Sequence, residues 1–331
     1  MRILWRYICT LIVVTLAACG GSGSNPTLPT QPGPGSSAQS VPRRVIGSDG
    51  SMRTMFYTKE IELSGRVNAD SDPGLQTMAV SSKNLRYNGG PIQTAPKIYV
   101  VYWGNWTSTG DPRGVRSYFN KYLAGLGGSR WLSTVTQYTQ TGGQHIGNAA
   151  GSFNATTQSW NDTSAVPNLN NGATFESSLA AEARKAATHF NNHTVNASYI
   201  IALPHHVAVY EFAGSCGYGC NYTNAYCAWH STTATSSGTI AYTNFPYQPD
   251  GADSCGQGSV TYPGYNDGVS IVGGHEQAET ETDPRLNAWY DSSGYEIADK
   301  CSWSNLQNIA FSTGSFPSQP LWSNTGNGCV Q

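Results

Sequence analysis

The sequence predicts a single α/β (α+β) domain over residues 85–331, a mixed sheet with packed helices, stapled by disulfides. Three observations carry this. Apolar strand-like runs alternate with helix-like stretches, the order that layers helices on a sheet. Six cysteines, Cys216, Cys220, Cys227, Cys255, Cys301 and Cys329, follow an export-type N-terminus, and an even number there reads as up to three disulfides whose pairing the sequence leaves open. The composition is that of a loop-rich globular chain, 38% hydrophobic and only 11% charged. Its net charge of −2 leaves no basic footprint for nucleic acid. Nothing after residue 20 is apolar for long enough to span a bilayer.

The chain opens with Arg2 and Arg6 before a short apolar core at residues 8–16, then Leu16-Ala17-Ala18-Cys19. Small residues before a cysteine resemble a bacterial lipoprotein cleavage box. Residues 1–19 read as a signal peptide, with Cys19 lipidated and the protein anchored to the bilayer rather than spanning it. The other reading is an ordinary secretory signal. Residues 20–45, rich in Gly, Ser and Pro, read as a flexible tether, and residues 46–84 as a partly ordered leader.

Within the domain, residues 97–106 (KIYVVYWGNW) read as a buried strand. Asp111-Pro112 is a start signal for a helix over residues 115–126, stopped by Gly127-Gly128. Residues 131–138 are mixed and helix-compatible. Residues 174–190 are dominated by good helix formers, with Thr174 as candidate N-cap. Residues 198–203 (SYIIAL), 226–231 and 239–244 read as strands. The sequence holds no G-x-S-x-G elbow and no phosphate-binding G-x-x-x-x-G-K-[ST] loop.

The chemistry concentrates after Val269. Seven of the 20 acidic residues lie between Glu276 and Asp299, with Arg285 as the one Lys or Arg among them and Lys300 directly after. On a helix, His275 and Glu279 stand at i and i+4 and share one face. Glu276 follows the His, as in the H-E-x-x-H helix of zinc peptidases, with Glu in place of the second His. Asp283-Pro284 ends the helix, because the residue before proline is pushed out of the α region. Three protein ligands with one open position is the catalytic zinc pattern, so His275, Glu279 and Glu296 are the candidate ligands and Glu276 the candidate general base. Asp283 and Asp299 are candidates for orienting the ligands from behind. Zinc is the expected ion, with calcium or no metal as alternatives, since the extra carboxylate hardens the site. The domain is then expected to be zincin-like around this helix. In the structural alternative, Glu279, Glu296 and Asp299 pair with backbone donors or Arg285 and hold a loop. His205, His206 and His230 are further histidines able to approach the helix. A cysteine zinc site at Cys216 and Cys220 is the alternative to disulfides there.

The stretch GGHEQAETETDPRLNAWYDSSGYEIADKC resembles the signature of the phosphate-induced protein 1, or exordium-like, family, whose members share a similar HE-x-x-E, T-[DN]-P, NAWY-like run and E-I-x-D-x-C ending. YWGNW at residues 102–106 is also similar, whereas Asn88 stands where the family commonly has His. The resemblance implies cell-wall or growth-related roles and brings no established reaction. The combined expectation is an exported, membrane-anchored, metal-dependent hydrolase, a peptidase of the cell envelope acting on peptide or wall polymer. The alternative is a non-enzymatic exported protein that binds wall polymer or a partner protein. One test follows directly: Cys19→Ala is expected to move the protein from the membrane to the soluble fraction, and wild type still joined to its leader with an unmodified Cys19 would refute lipidation.

Overall fold

The computed structural model describes residues 43–63, 84–215 and 225–331. Cys19, the signal and most of the tether lie outside these residues, as do Cys216 and Cys220. The strands are β1 (Arg44–Ile46), β2 (Met52–Tyr57), β3 (Arg86–Tyr87), β4 (Lys97–Trp103), β5 (Ser159–Asp162), β6 (Ala197–Ala202), β7 (Tyr226–Thr235) and β8 (Gly238–Phe245). They continue as β9 (Trp289–Tyr290), β10 (Gln307–Phe311), β11 (Gly314–Ser318), β12 (Leu321–Ser323) and β13 (Gly328–Val330). Three long helices are α1 (Val115–Leu126), α2 (Phe175–His189) and α3 (Asp267–Thr282).

One seven-stranded mixed sheet, in the order β1-β2-β7-β8-β6-β4-β5, organises the chain. β5, β4, β6 and β8 run parallel, while β7, β2 and β1 continue the sheet with antiparallel pairings. The parallel strands are apolar because both of their faces are covered. Along β7 the side chains alternate between faces. Trp229 meets Phe175 of α2, whereas its neighbour His230 meets Glu276 of α3. The two helices therefore cover opposite faces of the sheet.

The helices form where the sequence places them, and their ends are instructive. Asp111 caps α1, its carboxylate accepting from the Val115 and Arg116 amides at 2.7 and 3.1 Å. Thr174 occupies the N-cap position of α2, but its side chain makes no cap bond; its carbonyl instead accepts from the hydroxyls of Ser177 and Ser178. Residues 132–137 form a 3₁₀ helix.

α3 is buried along all of its 16 residues. It is wedged between the sheet, α1 and the C-terminal hairpins. Gly273 and Gly274 permit this closeness. A Cβ on Gly273 would meet the Phe119 ring at 2.5 Å, and one on Gly274 the Tyr122 hydroxyl at 2.3 Å. The two glycines just before His275 thus let Phe119 and Tyr122 of α1 pack directly on the backbone of α3.

β1 and β2 come from residues that the sequence assigns to the tether and leader, yet they form one side of this sheet. β2 pairs with β7 and β1 with β2, so the fold reaches back beyond residue 85. Two disulfides are present among the described residues, Cys227–Cys255 and Cys301–Cys329, each closing 28 residues. The first ties β7 to the turn before α3. The second ties the segment carrying Glu296 and Asp299 to β13. No helix among the described residues is long and apolar enough to cross a membrane.

Loops of this length imply that losing the Cys301–Cys329 bridge costs roughly 2–4 kcal/mol through the unfolded chain's entropy. The Cys301→Ser, Cys329→Ser double variant should lose about that much stability in urea denaturation. An unchanged midpoint would mean that the bridge does not form.

Candidate metal centre

The second half of α3 carries the centre. His275 and Glu279 lie on one helical face, with Nε2 and Oε1 3.1 Å apart. The segment after the helix then folds back. Asp283 closes the turn, accepting from the amides of Asn287 and Ala288 at 2.6 Å each. This return brings Asp299 to the helix, where its amide donates to Glu279 Oε1 at 3.0 Å and its Oδ1 lies 3.6 Å from His275 Nε2. Asp299 Oδ2 accepts from the Glu296 amide at 3.0 Å.

His230 enters from β7. Its Nδ1 is 3.0 Å from Glu276 Oε2 and 3.7 Å from Glu279 Oε2, and its Nε2 is 3.5 Å from Glu296 Oε2. Glu276 and Glu279, three residues apart on α3, both reach this ring. Two groups of potential ligands result, His275 with Glu279 and Asp299, and His230 with Glu276 and Glu279. Glu279 belongs to both. Of the expected ligands His275, Glu279 and Glu296, the first two meet directly; Glu296 lies instead against His230 and Arg44, and Asp299 stands beside His275.

Cations come from the N-terminal strands. Arg43 Nη1 lies 3.2 Å from Asp299 Oδ1, and the same guanidinium grips Glu62. Arg44 Nη2 lies 2.6 Å from Asp283 and 3.2 Å from Glu296. These arginines take the part that the structural alternative gives to Arg285, which is exposed. Gln319 supports the other side. Its Oε1 faces His275 Nδ1 at 3.4 Å, which leaves Nε2 for the carboxylates, and its amide holds the Ala298 carbonyl at 2.9 Å.

No member of the cluster is more than 1% exposed, so burial dominates its proton affinities. Burial drives the Glu276 carboxyl well above the ordinary range. It raises Glu279 too, helped by Asp299. Glu296 rises by burial despite Arg44. Burial alone would raise Asp299, but Arg43 and His275 outweigh it and hold this carboxylate ionised. Burial favours neutral His275, yet Glu279 and Asp299 prevail and lift it to about 10. Burial, Arg44 and His275 press His230 down to about 3. With Glu276 and Glu296 protonated, His230 gains no ion pair and stays neutral.

Several buried atoms of the cluster make no aligned hydrogen bond: Nε2 of both histidines, Glu276 Oε1, Glu279 Oε2, Glu296 Oε2 and Asp299 Oδ1. Buried polar atoms are normally satisfied. A set of orphaned lone pairs converging from three chain segments fits a cation.

Sequence reading placed His230 only among three histidines able to approach the helix, and it missed Arg43, Arg44 and Gln319. His230 had a signal, a histidine inside the apolar run Y-C-A-W-H-S. The Arg-Arg pair had one too, standing apart in a chain with few charges. Gln319 had none. His205 and His206 lie elsewhere, grouped with Asp250.

With the geometry established, known proteins add one comparison. The chain is 26% identical over 246 residues to Protein EXORDIUM-like 5 of Arabidopsis thaliana. It is a distant relative of an exordium-like protein. The match covers 66% of this chain and 64% of the plant protein, so the chain spans less than two thirds of that relative. No family model and no solved structure matches it. The relationship agrees with the resemblance in the HEQAETETDP segment.

Glu281 offers a test of the helix's burial. It is 0% exposed, with Oε1 accepting from Gln277 at 2.9 Å. Burial raises its pKa to about 8, and the Gln277 bond opposes this. A folded pKa above the unfolded one means that stability is complete below about pH 4.5 and falls as pH rises toward about 8. Glu281→Gln should therefore match wild type near pH 4 and exceed it by roughly 4–5 kcal/mol at pH 8.5. A stability difference that ignores pH in urea denaturation would contradict the burial of a protonated carboxyl here.

Proposed function

We propose that the chain is an exported, metal-dependent hydrolase of the peptidase type, held at the cell envelope through Cys19. The single observation that carries this reading is the convergence of His275 Nε2, Glu279 and Asp299 on α3, buried and within 4.8 Å of one another. Two of these groups share a helical face and the third comes from a downstream segment, the layout of a zincin-like centre. In this reading these three residues hold the cation, with Asp299 in the role that the sequence pattern suggests for Glu296. One imidazole and two carboxylates suit zinc, and their oxygen content also admits harder ions. The two disulfides accord with an oxidising, exported setting.

A divalent cation supplies Lewis acidity here and lowers the pKa of bound water toward about 7. The chain's own groups do the rest. Gln319 fixes the His275 tautomer. While residues 43–57 are in place Arg43 keeps Asp299 ionised, and a bound cation would do the same once they leave. His230 holds Glu276 Oε2 at 3.0 Å and leaves Oε1 without a partner; with a cation bound beside it Glu276 would give up its own proton, and Oε1 would be the atom that takes the proton from water.

A second reading, a binding protein for wall polymer, has its own observation. A cleft of about 580 Å³ lies at the carboxyl ends of β4, β5 and β6, where open α/β sheets hold ligands. Asn105, Thr107, Asn161 and Ser164 line it beside Trp106, an amide- and hydroxyl-rich wall suited to a neutral saccharide.

Metal analysis with mutants decides between them. Glu279→Ala should lose bound metal, because a ligand is gone. Glu276→Gln should keep metal and lose hydrolysis by at least about 100-fold, because only the base is gone. Wild type without stoichiometric metal, and without a gain in thermal stability on adding zinc, calcium or manganese, would put the binding reading ahead.

A further inference from the structure

A reaction centre must meet its substrate, yet every group of this one is buried. The cover has a clear identity. It is the N-terminal stretch 43–57, which folds as β1 and β2 along the outer edge of β7. β2 pairs antiparallel with β7 and sets Thr54 opposite His230 and Phe56 opposite Ala228. Directly opposed residues and those two apart share a face, so Thr54 and Phe56 point with His230 toward α3. The Phe56 ring then stacks on His275 at 3.8 Å, with Trp303 behind it at 4.8 Å. Arg43 reaches Asp299, and Arg44 reaches both Glu296 and Asp283. The Arg44 guanidinium lies 3.7 Å from the Tyr290 ring centroid.

We propose that the outer edge of β7 is the docking site for an extended peptide, and that residues 43–57 occupy it as a built-in competitor. The inference rests on the reading of the α3 cluster as a reaction centre and names the class of substrate for it. Backbone pairing to an exposed strand gives affinity without sequence, and side-chain pockets add preference. Here the preferences are written by the occupant. An aromatic side chain fills the place over His275, and guanidinium groups meet the acidic groups around it. The expected substrate is therefore an extended peptide with an aromatic residue and neighbouring basic ones.

Met55, Phe56 and Tyr57 of the segment are buried in the core and Arg53 pairs with Glu176, so the segment can leave only as a unit, and two features permit that. It comes from one end of the chain, and β1 is the last strand on its side of the sheet. Releasing β1 and β2 leaves β7, β8, β6, β4 and β5 paired as they are. Phe56 is the single aromatic that joins the segment to His275, so it is the residue to remove.

Native-state hydrogen exchange of the intact protein tests this. If the segment opens by itself, amides of β1 and β2 exchange at least about tenfold faster than those of β4 and β6. Equal protection across the sheet would make the segment an ordinary core element and overturn the proposal. Phe56→Ala should speed exchange in β1, β2 and the paired edge of β7 by a further factor of about ten, with β4 unchanged. A uniform rise over the whole sheet would overturn it as well. The same variant, loaded with zinc, should hydrolyse casein about tenfold faster than wild type. A synthetic peptide of residues 43–57 added in excess should bind Phe56→Ala and slow exchange along the β7 edge; such protection without hydrolysis would keep the docking site and remove the hydrolase reading, and no protection would overturn the docking site.

Discussion

The structure depends on burying a polar helix. α3 carries His275, Glu276, Glu279 and Glu281, and all 16 of its residues are removed from solvent. Uncompensated carboxylates cannot be buried cheaply, because the charged form loses its hydration. Each must find a cation, a hydrogen-bond donor or a proton. The surrounding fold is arranged around these needs. Arg43 and Arg44 arrive from β1, His230 from β7, Gln319 from the C-terminal region and Asp299 from the returning loop.

The charge balance within the cluster follows from the same constraint. Asp299 stays ionised because Arg43 lies against it, and His275 takes a proton because Glu279 and Asp299 share its Nε2 side. Glu276 and Glu296 hold protons instead, since burial outweighs what His275 and Arg44 offer them. A bound cation would replace those protons with one positive charge at the convergence of the lone pairs. Ligand protonation and metal binding are then alternatives for the same atoms.

Packing turns this helix into a precise element. The Gly273-Gly274 pair lets Phe119 and Tyr122 of α1 pack on the backbone of α3 just before His275, and Phe56 covers the imidazole from the sheet side. Cys301–Cys329 fixes the segment that returns Glu296 and Asp299. The centre is thus held by α1 and by the disulfide-tied return segment, and its remaining side is the N-terminal hairpin that carries Phe56. That side alone is made of chain that precedes the rest of the domain.

Local chemistry made much of this legible in the sequence. Strands β4, β6, β7 and β8 announce themselves as apolar, β-branched and aromatic runs. The bounds of α1 follow from Asp111-Pro112 and Gly127-Gly128, and the end of α3 from Asp283-Pro284. The shared face of His275 and Glu279 follows from helical periodicity alone. What the sequence could not supply are the groups that meet across the chain. Arg43 and Arg44 sit in a segment of leader-like composition, and only strand pairing with β7 carries them to Asp299 and Glu296. His230 faces α3 rather than α2 because of the register of β7, which no local preference sets. Whether Asp299 or Glu296 reaches His275 depends on a few ångströms in the path of the returning loop. Periodicity and capping act over a few residues and are written in the sequence; the partners of a buried charge are chosen by the tertiary packing that buries it.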